Sequence, residues 1–271
     1  EGFKAIVDRY LSADHQIDQQ YRKFYFYYDK LENTEAFEPL RELVENIYTN
    51  EYLATLLPAW NEGLRQEEAL AVLPLQRDFY NANLRYAKER TVVIISDAMR
   101  YEVGQELFAR MQDDPKCSAQ LSVQLGVLPS YTRLGMAALL PHRTQEIMDL
   151  IRRINGSGNT HHFIVTADHG FIYKRDKLSE SEKIAGKSME NAFVNRRFVV
   201  SAAPLQDDGI GHMSMGTVLG NQDAKVVSYP VSSNVFKVAG GGANYVHGGV
   251  DIRRPRMQRS HWSAFSTRSR I

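Results

Sequence analysis

The feature that most constrains this chain is a pair of short apolar runs, each ending in an acid. Thr91-Val92-Val93-Ile94-Ile95-Ser96 runs into Asp97, and Phe163-Ile164-Val165-Thr166-Ala167 runs into Asp168-His169-Gly170. Continuous β-branched runs mark parallel strands buried on both faces. The first run is therefore predicted to be a central, two-sided buried strand, and the second another strand of the same sheet. Open α/β sheets bind ligands at the carboxyl ends of their strands. Asp97, Asp168 and His169 are thus predicted at one such edge, with donors that suit zinc, manganese or magnesium.

The intervening pattern supports this sheet. A helix is predicted through Val103, Leu107 and Met111, then a strand over Leu121–Val127. Leu128-Pro129-Ser130-Tyr131-Thr132 reads as a loop or helix entry, with Leu134, Met136, Ala137, Leu139 and Leu140 in a helix behind it. Ile147–Ile154 reads as an amphipathic helix ended by Asn155-Gly156-Ser157-Gly158-Asn159. Alternating strands and helices predict an α/β sandwich, a mostly parallel sheet with helices on both sides. Beyond Tyr173 the pattern weakens, and Phe198–Ser201 and Lys225–Tyr229 are candidate strands. Gly240-Gly241-Gly242-Ala243-Asn244 reads as a turn and lacks the spacing of a phosphate loop.

Residues 1–90 read as helical. Leu40, Leu43, Val44, Ile47 and Tyr48 fall at three- and four-residue spacings, which make one helix face. Pro39, Pro58 and Pro74 mark helix starts or breaks. The cluster Tyr21, Phe24, Tyr25, Phe26, Tyr27 and Tyr28 reads as a packed helix interface in preference to a base-stacking platform. Three segments follow: 1–90 helical, 91–250 catalytic, and 251–271 basic.

Composition excludes some functions. Hydrophobic residues make up 43%, enough for a packed core, and the net charge of +1 gives no reason by itself to expect nucleic acid. The basic residues are unevenly placed: Arg253, Arg254, Arg256, Arg259, Arg268 and Arg270 follow Asp251 with no further acid. That segment is either a solvated tail or a phosphate-backbone contact. Cys117 is the single cysteine, so no intramolecular disulfide and no cysteine metal site can form, in keeping with a reducing cytoplasm. No apolar run is long enough to span a membrane.

The candidate site gathers Asp97, Thr132, Asp168 and His169, with His247 from Asn244-Tyr245-Val246-His247-Gly248-Gly249. The carboxylates and imidazoles are metal donors. A metal would activate the Thr132 hydroxyl as nucleophile, with Ser130 the weaker candidate. Arg100 and Arg133 offer guanidinium forks for phosphate oxygens. Asp97 and Thr132 also have a plainer reading as helix N-caps. His142, His161, His162, His212 and His261 read as surface or loop residues.

At these residues the chain resembles the PglZ domain, a branch of the alkaline phosphatase superfamily found in bacterial BREX phage-defence systems. The resemblance rests on Val92–Glu102, which contains Asp97-Ala98-Met99-Arg100-Tyr101, on Leu128–Thr132, on Thr166-Ala167-Asp168-His169-Gly170-Phe171, and on Tyr245–Gly249. It covers about residues 90–250, and it implies an alkaline-phosphatase-like fold and a two-metal phosphoryl-transfer site. Asp97, Thr132, Asp168 and His169 would surround one divalent cation, zinc before manganese or magnesium, and His247 would help hold the second. The implied activity is a phosphodiesterase or nuclease acting on nucleic acid, most readily DNA. Partners would be other BREX proteins such as the methyltransferase subunit. The alternatives are a catalytically weak scaffold subunit of the defence complex and, less favoured, a phosphomutase-type enzyme.

Two departures stand out. The superfamily supplies an Asp and a His for the second metal between the nucleophile and the Asp-His pair, but here only 36 positions separate Thr132 from Asp168 and Asp149 is the sole acid near the right place. After His247-Gly248-Gly249-Val250 the family continues as an apolar strand, whereas this chain turns arginine-rich. Both breaks lead to the expectation that family segments are missing from the chain.

Overall fold

The computed structural model describes residues 2–65, 69–88, 91–115, 118–140, 162–173, 178–184, 192–238, 245–246 and 256–258. The predicted helix at 147–154, its terminating loop, the turn at 240–244, Asp149, Cys117, His142, His161, His247, His261 and most of the basic segment lie outside them. The helices are α1 (Phe3–Arg9), α2 (His15–Tyr28), α3 (Glu38–Asn46), α4 (Ala54–Leu64), α5 (Ala69–Val72), α6 (Phe79–Asn83), α7 (Tyr101–Gln112), α8 (Thr132–Leu139) and α9 (Met215–Leu219). The strands are β1 (Thr91–Ser96), β2 (Ser122–Gln124), β3 (His162–Ala167), β4 (Ile172–Tyr173), β5 (Lys183–Ile184), β6 (Phe193–Asn195), β7 (Phe198–Ser201), β8 (Ile210–Ser214), β9 (Val226–Pro230), β10 (Val235–Phe236), β11 (Tyr245–Val246) and β12 (Arg256–Gln258). They form two compact units that alternate along the sequence. One holds Glu1–Val72, Leu128–Ser130 and Phe171–Arg254; the other holds Leu73–Val127, Tyr131–Gly170 and Pro255–Ile271. No helix among the described residues is long and apolar enough to cross a membrane.

In the first unit the helical reading of the N-terminal residues holds. Two π-helical segments, Tyr10–Asp14 and Ile47–Leu53, join α1 to α2 and α3 to α4. Tyr21, Tyr25 and Tyr28 pack with Tyr48, Leu53 and Leu57 in a buried cluster, and the Tyr21 and Tyr48 rings stack with centroids 3.6 Å apart. Tyr21, Tyr25 and Tyr28, with Phe24 packed against them, are therefore core as the sequence reading preferred, whereas Phe26 and Tyr27 are exposed. Its hydroxyls need partners once buried. Tyr21 and Tyr25 donate to Glu45 at 2.8 and 2.6 Å, and Tyr10 and Tyr48 donate to the buried Asp18 at 2.8 and 2.5 Å.

This demand for acceptors turns α3 away from its predicted orientation. Val44 and Tyr48 pack inward, but Leu40, Leu43 and Ile47 are exposed. The face carrying Glu38, Arg41 and Glu45 supplies the tyrosine partners instead, with Tyr28 donating to Glu38 at 2.8 Å. Pro39 starts α3 as predicted, whereas Pro58 lies inside α4 and does not break it. The preceding π-segment ends at Leu53, so the missing Pro58 N–H falls where the helix is already changing its bonding register.

The same unit contains an antiparallel sheet in the order β6-β7-β9-β8, which includes both predicted late strands. Its core holds Val199, Leu205, Ile210 and Phe236. Asn61 of α4 donates to the Val231 carbonyl just past β9, at 2.8 Å.

The second unit is α/β as predicted, with a mixed sheet in place of the mostly parallel one expected. Its sheet has the order β1-β3-β12-β2, with β1 and β3 parallel and β12 antiparallel to both β3 and β2. Phe79, Leu139 and Leu140 pack with Ile164, Val93 and Ile95 on one face, while Met99, Val103 and Leu121 pack with Val165 and Ala167 on the other. The expectation that β1 is central and buried on both sides is corrected here. Among the described residues β1 is an edge strand, and Ile94 is 47% exposed. The physical reason is the placement of the α7 layer, which covers β3 and leaves the Ile94 face of β1 open.

Candidate metal centre

The ladder between β1 and β3 fixes the site. Their last paired residues are Ser96 and Ala167, so the next residues, Asp97 and Asp168, leave the sheet side by side at its carboxyl edge. Asp168 is 1% exposed and His169 3% exposed, whereas Asp97 is exposed. Thr132 is the first residue of α8, exposed, one position after the Tyr131 N-cap. The N-cap of α8 is Tyr131 and that of α7 is Arg100, so neither Thr132 nor Asp97 is a helix cap.

Four side chains converge. Nε2 of His169 lies 2.8 Å from the Thr132 hydroxyl, 3.2 Å from Asp97 Oδ1 and 3.5 Å from Asp168 Oδ2. Ligand atoms of Asp97, Asp168 and His169 all lie within 4.8 Å of one another. Nδ1 of His169 faces the Gly170 carbonyl at 2.9 Å, and a carbonyl can only accept, so Nδ1 carries the proton. That leaves Nε2 as the ring nitrogen turned toward the three oxygens, the one that could ligate a cation placed among them.

Asp168 is held from its other side. Its Oδ1 accepts from the backbone N–H groups of His169 at 2.8 Å and Ala98 at 3.1 Å. Ala98 takes a left-handed conformation, φ 55°, to present that N–H. Asp168 Oδ2 is buried without a hydrogen-bond partner. A buried carboxylate oxygen with no donor is costly unless a cation faces it. A carboxylate oxygen that accepts no hydrogen bond, an imidazole nitrogen and a second carboxylate make a mixed N and O donor set that fits zinc, with manganese next.

Sequence reasoning missed three supporting residues. Gln76 bonds the Asp168 carbonyl, Ala98 donates to Asp168, and Gly135 lies so close that a Cβ there would sit 2.1 Å from the Asp168 oxygen. Only the small residue after Asp97 left a trace in the sequence. Of the remaining candidates, Arg133 is exposed at the start of α8, beside Thr132, and Ser130 is buried. Arg100 is buried rather than turned to solvent, with Nε 3.0 Å from Glu102. His212 is exposed as expected, and His247 lies outside the described residues.

Fold and site together define an α/β protein with a metal-type centre and an adjacent hydroxyl at the carboxyl edge of its sheet. The chain belongs to the PglZ family: the model described as the BREX system PglZ alkaline phosphatase-like domain matches residues 78–149 and 143–253. An alkaline phosphatase-like protein PglZ of Bacillus cereus is 30% identical across 93% of this chain and 40% of its own length. An alkaline phosphatase-like protein BrxZ of Escherichia coli is 28% identical across 88% of this chain and 39% of its own. The chain thus spans about two-fifths of the length of these relatives. The alignments run over 345 and 339 residues against the 271 of this chain, so the relatives hold internal segments that it lacks. The two family-model matches overlap at 143–149, between Thr132 and Asp168, where the second-metal ligands were expected and missed.

Proposed function

We propose that this site is a metal-dependent phosphohydrolase centre that cleaves phosphodiester bonds of nucleic acid in phage defence. The observation that carries the reading is the convergence of the Thr132 hydroxyl, His169 Nε2 and Asp168 Oδ2, a buried oxygen that accepts no hydrogen bond. Asp97, Asp168 and His169 would hold the cation, zinc before manganese or magnesium, with His247 the candidate for a second. A bound divalent cation lowers the pKa of a hydroxyl and screens phosphate charge. Thr132 is then the nucleophile toward phosphorus. The first N–H groups of α8 have no partner within the helix and favour an anion there. Arg133 adds a guanidinium beside the nucleophile. Asp168, clamped by two backbone donors, keeps His169 and Thr132 in register.

Nucleic acid as substrate, DNA first, is supported by Arg133, by the arginines of 251–271 and by the defence setting of the family. Other BREX proteins, the methyltransferase subunit among them, are the proposed partners. The scaffold alternative is favoured by a departure in the sequence, the 36 positions between Thr132 and Asp168 in which the expected second-metal ligands are missing.

The test measures metal content and turnover of bis(p-nitrophenyl) phosphate and plasmid DNA with added zinc or manganese. Thr132→Ala is expected to lower turnover by ~1,000-fold or more, and Asp168→Ala to lose the metal. Full metal-dependent turnover in either variant rules the mechanism out. A metal-free, inactive parent that still assembles with its partners establishes the scaffold reading.

A further inference from the structure

We propose that Gln76 is a positioning residue for the Thr132, Asp168 and His169 group, setting the separation between the helix that carries the hydroxyl and the strand end that carries the metal ligands. This rests on the reading of that group as a phosphoryl-transfer site. Gln76 begins the 3-10 turn Gln76–Asp78, just ahead of the residues the family model matches, and is fully buried. Its carboxamide is used at both ends. Nε2 donates to the Asp168 carbonyl at 3.1 Å and to the Gly135 carbonyl at 3.3 Å. Oε1 accepts from the Val127 N–H at 3.0 Å. The Gln76 backbone N–H is tied to the Leu125 carbonyl at 2.8 Å, so the side chain starts from a fixed point.

The two carbonyls belong to the elements that carry the proposed chemistry. Gly135 lies one turn beyond Thr132 in α8, and Asp168 directly precedes His169. The missing Cβ of Gly135 lets α8 rest on the Asp168 backbone, which brings two carbonyl oxygens toward one another. Carbonyl oxygens repel unless a donor lies between them, and the Gln76 amide is that donor. The separation it sets is read out at the far end of the same contact, as the 2.8 Å between the Thr132 hydroxyl and His169. Reacting groups displaced by ~1 Å lose ~100-fold in rate.

Gln76→Glu tests this. It keeps the volume and the acceptor for Val127 but places a carboxylate oxygen against two carbonyls. In folded protein, checked by circular dichroism, the Mn2+ dissociation constant measured by calorimetry is expected to rise ~10-fold or more. The kcat on bis(p-nitrophenyl) phosphate should fall ~100-fold with KM changed less than ~3-fold. In a Thr132→Ala background, Gln76→Glu should cause no further fall in turnover. A packing role alone predicts a lower melting temperature with Mn2+ affinity and kcat within ~2-fold of the parent, and that result overturns the proposal. If Gln76→Glu does not fold, Gly135→Ala perturbs the same contact from the α8 side, and the same outcomes decide. Should Thr132→Ala turn over like the parent, the catalytic reading fails, and the Mn2+ affinity of Gln76→Glu alone decides whether Gln76 positions Asp168 and His169.

Discussion

The backbone N–H of Ala98 donates to Asp168 Oδ1 at 3.1 Å from a left-handed conformation, φ 55°. A residue with a side chain rarely adopts this conformation, and a β-branched one does so at real cost. Ala98→Val is therefore expected to destabilise the protein by ~1–3 kcal/mol. Denaturant melts and Mn2+ calorimetry on the same sample check it. Relief of the strain should move the N–H off Asp168, so affinity falls with stability. Loss of stability with unchanged affinity would show that this hydrogen bond does not help set the Asp168 carboxylate.

Asp168→Asn separates the cost of the site from its use. Asp168 Oδ1 accepts two backbone donors, so the amide oxygen keeps that place and the NH2 takes the position of Oδ2, which accepts no hydrogen bond. There it can donate toward His169 Nε2, now 3.5 Å away. Without metal the variant should melt no lower than the parent, because a buried charge is exchanged for a bonded neutral group. With metal at about 100 times its dissociation constant the parent should gain about 2.7 kcal/mol and the variant none. A metal-free variant that melts well below the parent would mean that Oδ2 already has a partner in the protein.

The tyrosine cluster gives the N-terminal helices a pH limit. Burial, and then the Glu45 carboxylate that both hydroxyls contact, raises the Tyr21 and Tyr25 pKa values well above the usual 10. Tyr229 is pushed up to about 12 by burial, partly opposed by Arg65. A folded-state pKa raised above the unfolded one means that the fold prefers the neutral phenol. The stability from these groups is therefore fully present below the unfolded value near 10 and is lost as pH rises through the folded values. The part of the tyrosinate absorbance that comes from these buried rings, beyond that of exposed tyrosines such as Tyr27 and Tyr86, should appear only with alkaline unfolding. Glu45→Gln should bring the onset to lower pH by removing the carboxylate's contribution. An unchanged onset would show that burial alone sets it.

Much of the site was legible because chemistry and strand pattern coincide. Asp97 and Asp168-His169 each follow an apolar run, and a parallel pair in register has to bring its two ends together. Thr132 was legible as the last residue of a proline-bearing loop or helix entry. The bracing was not. Gln76 acts through backbone carbonyls from distant parts of the chain, and Gly135 through an absent Cβ, so no local pattern marks either. The α3 face was misread because apolar spacing carries no record of the acceptors that the tyrosines require, and those acceptors put Glu45 inside and Leu43 outside.

The edge position of β1 can be tested by pairing one exposed and one buried isoleucine of the same sheet. Ile164 is 1% exposed and packs with Phe79 and Leu139, whereas Ile94 is 47% exposed. Ile164→Ala should cost ~2–5 kcal/mol through lost burial and a cavity. Ile94→Ala removes the same atoms from a half-open surface, where only strand preference and partial burial are lost, and should cost under ~1 kcal/mol. Urea melts of the two variants give the comparison directly. Equal costs would mean that something covers the outer face of β1 in solution, and that the strand is central after all, as its unbroken apolar sequence predicts.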